Sequence, residues 1–195
     1  MRKQVERVER KKKLMVYFMG IVMISSVFGV IFFGFTSGSG KLKYNDFKFL
    51  NKGSYWSANV DGREARFTYF PADVEQIKVD DIIISRLKNT IEIDVTSDFN
   101  ETNVEEIALA QYQMGIVLNN FDVFVRQGLS SENENNIPII TCNDSTNFIP
   151  VVYFKSGNET NVYMEDNCIV AESSRNEDFV AIKDRLLYGI LGIIQ

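Results

Sequence analysis

The chain has 195 residues, with 21 basic and 26 acidic side chains, a formal net charge of −5, and no histidine. The absence of histidine excludes Ser-His-Asp and Cys-His catalysis, imidazole-ligated zinc and imidazole acid–base chemistry. Because the chain has only two cysteines and no CxxC pair, four-thiolate metal sites are excluded as well, and we predict no cofactor.

The first predicted element is a transmembrane helix over residues 14–35, a run of 22 residues without a charged side chain. At about 1.5 Å per residue this helix would reach roughly 33 Å, enough to cross a hydrocarbon core of about 30 Å once. Residues 1–13 hold seven basic side chains against Glu6 and Glu9. The positive-inside rule therefore predicts a cytoplasmic basic tail at 1–13 and an extracytoplasmic C-terminal domain, so that the protein crosses the cell membrane once.

A cleaved signal peptide has the same order of basic and apolar segments, and residues 36–38 offer small side chains for a peptidase. Signal peptides have apolar regions of about 7 to 15 residues, so the length favours an uncleaved signal-anchor. Within the span, Ser25 and Gly29 form a small-xxx-small spacing that could pair two helices in a homodimer, although such spacings are also common in membrane helices. The lipid bilayer is the first predicted partner.

After a linker over residues 36–43, we predict one extracytoplasmic domain at 44–195, a size that suits a single core. The chain beyond residue 13 carries 14 basic and 24 acidic side chains, a net charge of −10. This balance disfavours a nucleic-acid partner, because phosphates need a basic surface.

The domain opens with aromatic side chains at alternating positions over residues 44–70. Turn signals at 51–53 and at Asp61-Gly62 divide them, and Asp-Gly tolerates the positive φ angles of a type I′ hairpin. The pattern predicts a three-stranded antiparallel meander. The aromatic rings could stack on sugars, but cross-strand packing on a covered sheet face is the commoner cause of such a pattern.

The middle of the domain reads as alternating helices and strands. Hydrophobic spacing predicts, in order, a short helix ending near Leu87, a strand at 91–95 with one buried face, a helix at 104–118 and a strand at 122–129. Asn103 and Glu106 form a capping box before the second helix, whose apolar positions predict cover on most sides. A strand, helix and strand in this order indicate a crossover connection.

The last third predicts short strands followed by a helix. The strands fall at 137–142, at 150–154, around Val162 and at 168–171, and the helix begins near residue 176. The helix ends in a nine-residue apolar run that is too short to span a membrane, and it either covers the sheet or contacts the membrane face. The predicted fold class is α/β, with α+β as the alternative: a mixed-sheet exterior domain with an N-terminal antiparallel meander and a C-terminal amphipathic helix.

Two kinds of covalent chemistry are predicted for the exterior domain. Cys142 and Cys168 lie where thiols oxidise, which favours a disulfide; a free catalytic thiol would have no histidine to activate it. The Asn-x-Ser/Thr sequons at Asn100, Asn143 and Asn158 fall in predicted loops on the same side of the membrane, and they are the candidate N-glycosylation sites.

Two groupings of acidic residues are candidate sites. The acidic run from Asp94 and Asp98 to Glu101 lacks the spacing and the glycine of a calcium loop, so we predict no metal site. Asp184 and Arg185 are sequence neighbours, and neighbours on a helix do not face each other, so we do not read them as a functional pair.

Residues 149–157, the strand that follows and the terminal helix resemble the last third of thioredoxin-like domains, without the CxxC motif. Residues 93–98, 137–142, 166–169 and 183–189 resemble segments of uncharacterised single-pass membrane proteins of small-genome archaea. The second resemblance implies the single-pass topology and no activity.

The leading hypothesis is a membrane-anchored extracytoplasmic domain without catalytic activity that binds or scaffolds an envelope protein. The alternative is a cell-surface enzyme, either a carboxylate-dependent hydrolase or a degenerate thioredoxin-like oxidoreductase. A pocket that gathers two or more of Asp94, Asp98, Glu105 and Asp184 would favour the hydrolase. A broad exposed apolar patch would favour a partner surface.

Overall fold

A computed structural model describes residues 15, 17–19, 21–23, 40–88, 90–134 and 136–194. The chain divides into two units, Met1–Gly40 and Lys41–Gln195. In the first unit, residues 15, 17–19 and 21–23 are helical, and their apolar side chains are exposed. No helix among the described residues is both long and apolar enough to cross a membrane. The predicted tail at 1–13 and most of the predicted span, with Ser25 and Gly29, lie outside the described residues.

The described residues of the second unit form two β-sheets and four α-helices. The strands are β1 (Lys41–Tyr44), β2 (Phe47–Asn51), β3 (Trp56–Val60), β4 (Arg63–Phe67), β5 (Lys78–Val79), β6 (Glu92–Ser97), β7 (Phe124–Gln127), β8 (Val151–Ser156), β9 (Asn161–Glu165) and β10 (Cys168–Ser173). The helices are α1 (Pro71–Val74), α2 (Asp81–Leu87), α3 (Val104–Asn119) and α4 (Asp178–Ile190). The prediction of a mixed α/β fold with an N-terminal antiparallel meander and a C-terminal helix is confirmed.

The meander is a sheet of four strands in the order β1-β2-β3-β4, each antiparallel to its neighbour. It has one strand more than predicted, because β1 begins at Lys41, inside the segment that was assigned to the linker. Asp61 and Gly62 have φ angles of 50° and 83°, as the type I′ turn between β3 and β4 requires. The added strand places Lys41 and Lys43, which the prediction assigned to the linker, within the sheet.

The larger sheet has six strands in the order β5-β9-β10-β8-β6-β7. Helix α3 connects β6 to its parallel neighbour β7, which is the predicted crossover, and β9 and β10 form an antiparallel pair. The strand predicted at 137–142 is absent from the described structure. Ile139 makes one isolated bridge to Leu129, and Cys142–Asp144 form a short 3₁₀ helix.

Strand β6 is buried on both faces, so the prediction of one buried face was wrong. Ile93 and Val95 face the main core, whereas Asp94 and Thr96 lie on the opposite face. The Thr96 hydroxyl donates to the carbonyl oxygen of Ile140 at 2.8 Å. The segment between β7 and β8 therefore covers the second face of this strand.

A disulfide fastens that covering segment to the sheet. Cys142 and Cys168 are bonded, with their Cα atoms 5.1 Å apart, which confirms the predicted bridge. Cys168 is fully buried and packs with Ile140 and Val151 in a small hydrophobic cluster. The Ser145 hydroxyl, also in the covering segment, donates to the carbonyl oxygen of Asn167 at 2.7 Å.

Helix α4 is buried on nearly every side and contacts both sheets. Its Tyr188 ring stacks on Phe67 of the meander, with ring centroids 4.1 Å apart, and it meets the edge of Phe49. The prediction of an amphipathic helix understated this burial, because the other three helices pack on α4 in addition to the two sheets. Ile193, after the helix, is also buried, and its carbonyl oxygen accepts a hydrogen bond from Asn45.

The centre of α4 holds a buried ion pair between the neighbouring residues Lys183 and Asp184. One carboxylate oxygen of Asp184 accepts a hydrogen bond from the ammonium group of Lys183. The other accepts two backbone N–H groups, those of Thr68 and Tyr69, each at 2.8 Å. Burial raises the pKa of the Asp184 carboxyl, and Lys183 together with the two N–H groups opposes this shift. The carboxylate thus joins the core helix to the end of the meander.

We expect the substitution Asp184→Ala to destabilise the domain by about 3–5 kcal/mol, because it leaves the buried ammonium of Lys183 without its partner and removes the acceptor of two backbone N–H groups. The matched control is Glu105→Ala, which removes an exposed carboxylate from α3 and should change the stability by less than about 0.5 kcal/mol. Urea unfolding of both variants in detergent measures the difference. Equal midpoints would contradict the role given to Asp184.

We expect the disulfide to contribute about 3.5 kcal/mol to stability, the chain-entropy value for a closed loop of this length, because its residues are 26 apart in sequence. A reductant should therefore lower the unfolding midpoint of the native chain. The double variant Cys142→Ala/Cys168→Ala should unfold at the lower midpoint with or without reductant. A native midpoint that ignores the reductant, with both thiols then open to alkylation, would contradict this expectation.

Candidate functional site

A row of three exposed apolar side chains runs along α3. Leu109, Tyr112 and Ile116 are 47%, 59% and 48% exposed. They are spaced at i, i+3 and i+7, so they lie on one face of the helix. We call these three residues the α3 ridge. The prediction that α3 is covered on most sides was therefore wrong.

The opposite face of α3 explains why the ridge points outward. Ile107, Met114 and Leu118 are fully buried against the core, and α3 packs along both α4 and β7. The predicted capping box does not form, because the Asn103 side chain donates to the Ser156 hydroxyl at 3.1 Å instead of to the helix. Packing and this bond to β8 fix the rotation of α3.

A shallow groove runs between the ridge and the meander. It has a volume of about 260 Å³, and its walls include Tyr55 and Arg66 on the meander side and Gln113 and Ile116 on the α3 side. The Arg66 guanidinium lies 5.2 Å from the centre of the Tyr55 ring. Lys183 contributes to the groove as well, although its charge is paired with Asp184. The ridge and groove together offer an apolar strip with a polar border.

A second concave region lies at the N-terminal end of α4, at the carboxyl end of β10. It encloses about 610 Å³, within the range of small-molecule pockets, and it is half open to solvent. Its charged lining residues are Asp73, Arg175, Glu177 and Asp178. The sequence does not predict this pocket, because its residues come from separate turns and helix ends and form no motif.

Two charged residues that line this pocket, Arg175 and Asp178, form a structural ion pair. The Asp178 carboxylate accepts two bonds from Arg175, at 2.9 and 3.1 Å, and one from the Thr160 hydroxyl at 2.7 Å. Burial raises the pKa of the nearby Tyr69 hydroxyl, and the carboxylates of Asp178 and Asp184 raise it further. Asp178 is held by its neighbours, and the phenol is kept protonated, so neither group is set up as a base.

The four carboxylates proposed for a hydrolase do not converge in the described structure. Asp94 is fully buried and forms a two-point ion pair with Arg126, at 2.5 and 2.8 Å. Asp184 lies in the core, whereas Glu105 is exposed on α3. Asp98 accepts the backbone N–H of Asn100 at 2.8 Å in the loop before α3. No group of three or more metal-ligating side chains occurs within the described part of the chain.

The three sequon asparagines, Asn100, Asn143 and Asn158, are all exposed. They differ in their surroundings. Asn143 lies in the 3₁₀ helix next to the disulfide, and the hydroxyl residue of its sequon, Ser145, is buried. Asn100 has an exposed Thr102 and is the most open acceptor of the three.

Comparisons with known proteins add no further constraint. The chain matches no protein-family model, no curated protein and no solved structure.

Proposed function

We propose that this protein is a membrane-anchored extracytoplasmic binding domain that docks a second envelope protein on the α3 ridge. The observation that carries this proposal is the exposure of Leu109, Tyr112 and Ile116 on one helix face. Burying a fully exposed side chain of this size contributes about 1.5–3 kcal/mol, and these are about half exposed, so each would add roughly 1 kcal/mol at an interface. A contiguous apolar strip of this kind is typical of a partner surface.

The chemistry of the ridge indicates the kind of partner. A strip at i, i+3 and i+7 suits an amphipathic helix laid along it, with its apolar side chains over the ridge. Glu105 continues the same stripe toward the N-terminal end of α3 and is exposed. We therefore expect the partner to place a basic side chain opposite Glu105, while Gln113 and Arg66 provide polar contacts along the groove.

The membrane anchor is the second part of the proposal. It is supported by the uncharged run at 14–35, by the seven basic residues before it, and by the exposure of the apolar side chains described between residues 15 and 23. A linker then leads to a domain that begins at Lys41. A disulfide in that domain is typical of an oxidising, extracytoplasmic compartment.

Catalysis has no comparable support. A hydrolase needs two free carboxylates facing one space. The four carboxylates predicted for a hydrolase are separated, and in the pocket at the end of α4 Asp178 and Glu177 form ion pairs with Arg175, while Asp73 accepts the backbone N–H of Phe70. A thioredoxin-like oxidoreductase needs an accessible thiol pair, whereas Cys168 is fully buried and its partner is 26 residues away. The binding function is therefore the better account of the geometry.

The docking surface can be tested by site-specific photo-crosslinking in native membranes. We expect a benzophenone side chain at Tyr112 to give one discrete protein adduct, identified by mass spectrometry. The adduct should be lost when Leu109→Glu is added, because the charge prevents burial of the ridge. The matched control is the same probe at Phe148, an aromatic residue that is 84% exposed in the loop before β8.

An adduct that forms equally at both positions, or that survives Leu109→Glu, would contradict a ridge-specific partner. An adduct of twice the mass of the chain would identify the occupant as a second copy and overturn the proposal of a different envelope protein.

The topology can be tested by translating the full chain with endoplasmic reticulum microsomes, which glycosylate only translocated sequons. We expect glycosylation, with most of the mass shift lost in Asn100→Gln, because Asn100 is the most open acceptor. Replacing Arg10, Lys11, Lys12 and Lys13 by glutamine should reduce glycosylation, because it weakens the positive-inside signal. A native chain that stays unglycosylated and open to external protease would contradict the proposed orientation.

A further inference from the structure

We propose that the outer face of the meander rests on the anionic lipid headgroups of the membrane in which the chain is anchored. This inference rests on the proposed membrane anchor and deepens it, because it names a second contact between the domain and the bilayer. The surface consists of Lys41, Lys43 and Lys48, which we call the lysine face. All three residues are exposed.

Strand register places the three lysines on one side of the sheet. Lys43 of β1 lies directly opposite Lys48 of β2, and Lys41 lies opposite Leu50. Side chains directly opposite each other project from the same face, while the alternate residues, such as Phe49, point into the core. The three ammonium groups therefore share one exposed surface.

The lysine face has an unbalanced charge. Like charges directly opposite on neighbouring strands repel each other, so the pair Lys43 and Lys48 costs stability unless an anion lies over it. Within residues 40–88, 90–134 and 136–194 no carboxylate forms an ion pair with any of the three lysines. Glu64 on the same outer face is already paired with Arg66 at 2.8 Å. The surface therefore lacks a counter-charge of its own.

The basic character is confined to this part of the domain. Residues 41–66 carry six basic and three acidic side chains, whereas residues 67–195 carry eight basic and 21 acidic ones. An anionic bilayer attracts the first group and repels the second, which would orient the domain with the meander toward the membrane. The domain therefore has a negative net charge overall but a basic surface on the meander.

The position of β1 in the chain brings this face to the membrane. Five residues separate the proposed end of the span at 35 from Lys41. An extended chain covers at most about 3.6 Å per residue, so Lys41 stays within roughly 22 Å of the end of the span. The outer face also forms a shallow concavity of about 640 Å³ that would accommodate headgroups. Its polar lining includes the three lysines and Glu64, whose carboxylate is paired with Arg66.

A lipid contact centred on the three lysines leaves the α3 ridge free, although Arg66 of the groove lies on the same outer face of the meander. The lysines lie on β1 and β2, whereas the groove beside the ridge is bordered by Arg66 and Phe67 of β4, at the opposite edge of the meander. Adjacent strands are about 4.8 Å apart, so the two edges are separated by roughly 14 Å. A lipid contact and a protein contact can therefore exist together.

The test uses the full chain in liposomes, with Asn59→Cys on the outer face carrying an environment-sensitive fluorophore. The native cysteines are bonded to each other, so this thiol is labelled selectively. Spin-labelled headgroup lipids should quench the fluorophore in vesicles containing phosphatidylglycerol. They should quench it much less in pure phosphatidylcholine or at high salt.

The double variant Lys43→Gln/Lys48→Gln should lower the docked-to-free ratio about 25-fold, since each basic residue near an anionic surface contributes roughly five-fold. The matched control Lys78→Gln/Lys88→Gln removes the same charge away from the outer face and should leave the quenching unchanged. Quenching that is equal with and without phosphatidylglycerol, or that falls equally in both double variants, would overturn the proposed lipid contact.

The two proposals fail in different ways. A chain that does not float with the vesicles after an alkaline wash would refute the membrane anchor itself. A chain that floats, but whose outer face is not quenched, would refute only the docking of the lysine face.

Discussion

The second unit depends on one carboxylate. Asp184 lies at the centre of α4 with no exposure, and its two oxygens bind the ammonium of Lys183 and the backbone N–H groups of Thr68 and Tyr69. Burying an ion pair costs several kcal/mol per ion, and only good geometry with further hydrogen bonds offsets that cost. Here those bonds come from the residues at which the chain leaves the meander. The charge is thus tolerated only when the meander is docked on the helix.

This constraint determines which surfaces remain for function. With α4 held between the meander and the larger sheet, α3 packs on its flank and can bury only one side, so the α3 ridge stays exposed. The meander likewise uses its aromatic face, with Phe49 and Phe67 against Tyr188, and leaves the lysine face to solvent. Both proposed surfaces are the outer sides of elements whose inner sides converge on the same helix.

The sequence predicted the elements better than it predicted their burial. Alternation and helical spacing located β3, β6, β10, α3 and α4, and the compartment argument identified the Cys142–Cys168 bridge. The errors arose where distant residues decide the outcome. The alternating pattern of β6 predicts that Asp94 faces solvent, but Arg126 and a loop cover its side chain. The sequence predicts that Asn103 caps α3, but its side chain binds Ser156 instead. A local pattern reports periodicity and carries no information about such partners.

The two candidate surfaces also could not be predicted from sequence patterns of hydrophobicity and charge. The apolar residues of α3 surround the helix, which in sequence indicates burial, and only the packing on α4 and β7 shows that Leu109, Tyr112 and Ile116 are left over. The domain's net charge of −10 indicates an acidic surface, whereas the strand register gathers Lys41, Lys43 and Lys48 on one face. An averaged charge cannot describe a field that changes sign across the molecule, since headgroups respond to the nearest charges within about a Debye length of 8–10 Å. An acidic domain on an anionic membrane would be repelled as a whole, and the lysine face is the part of this domain for which the contact is attractive.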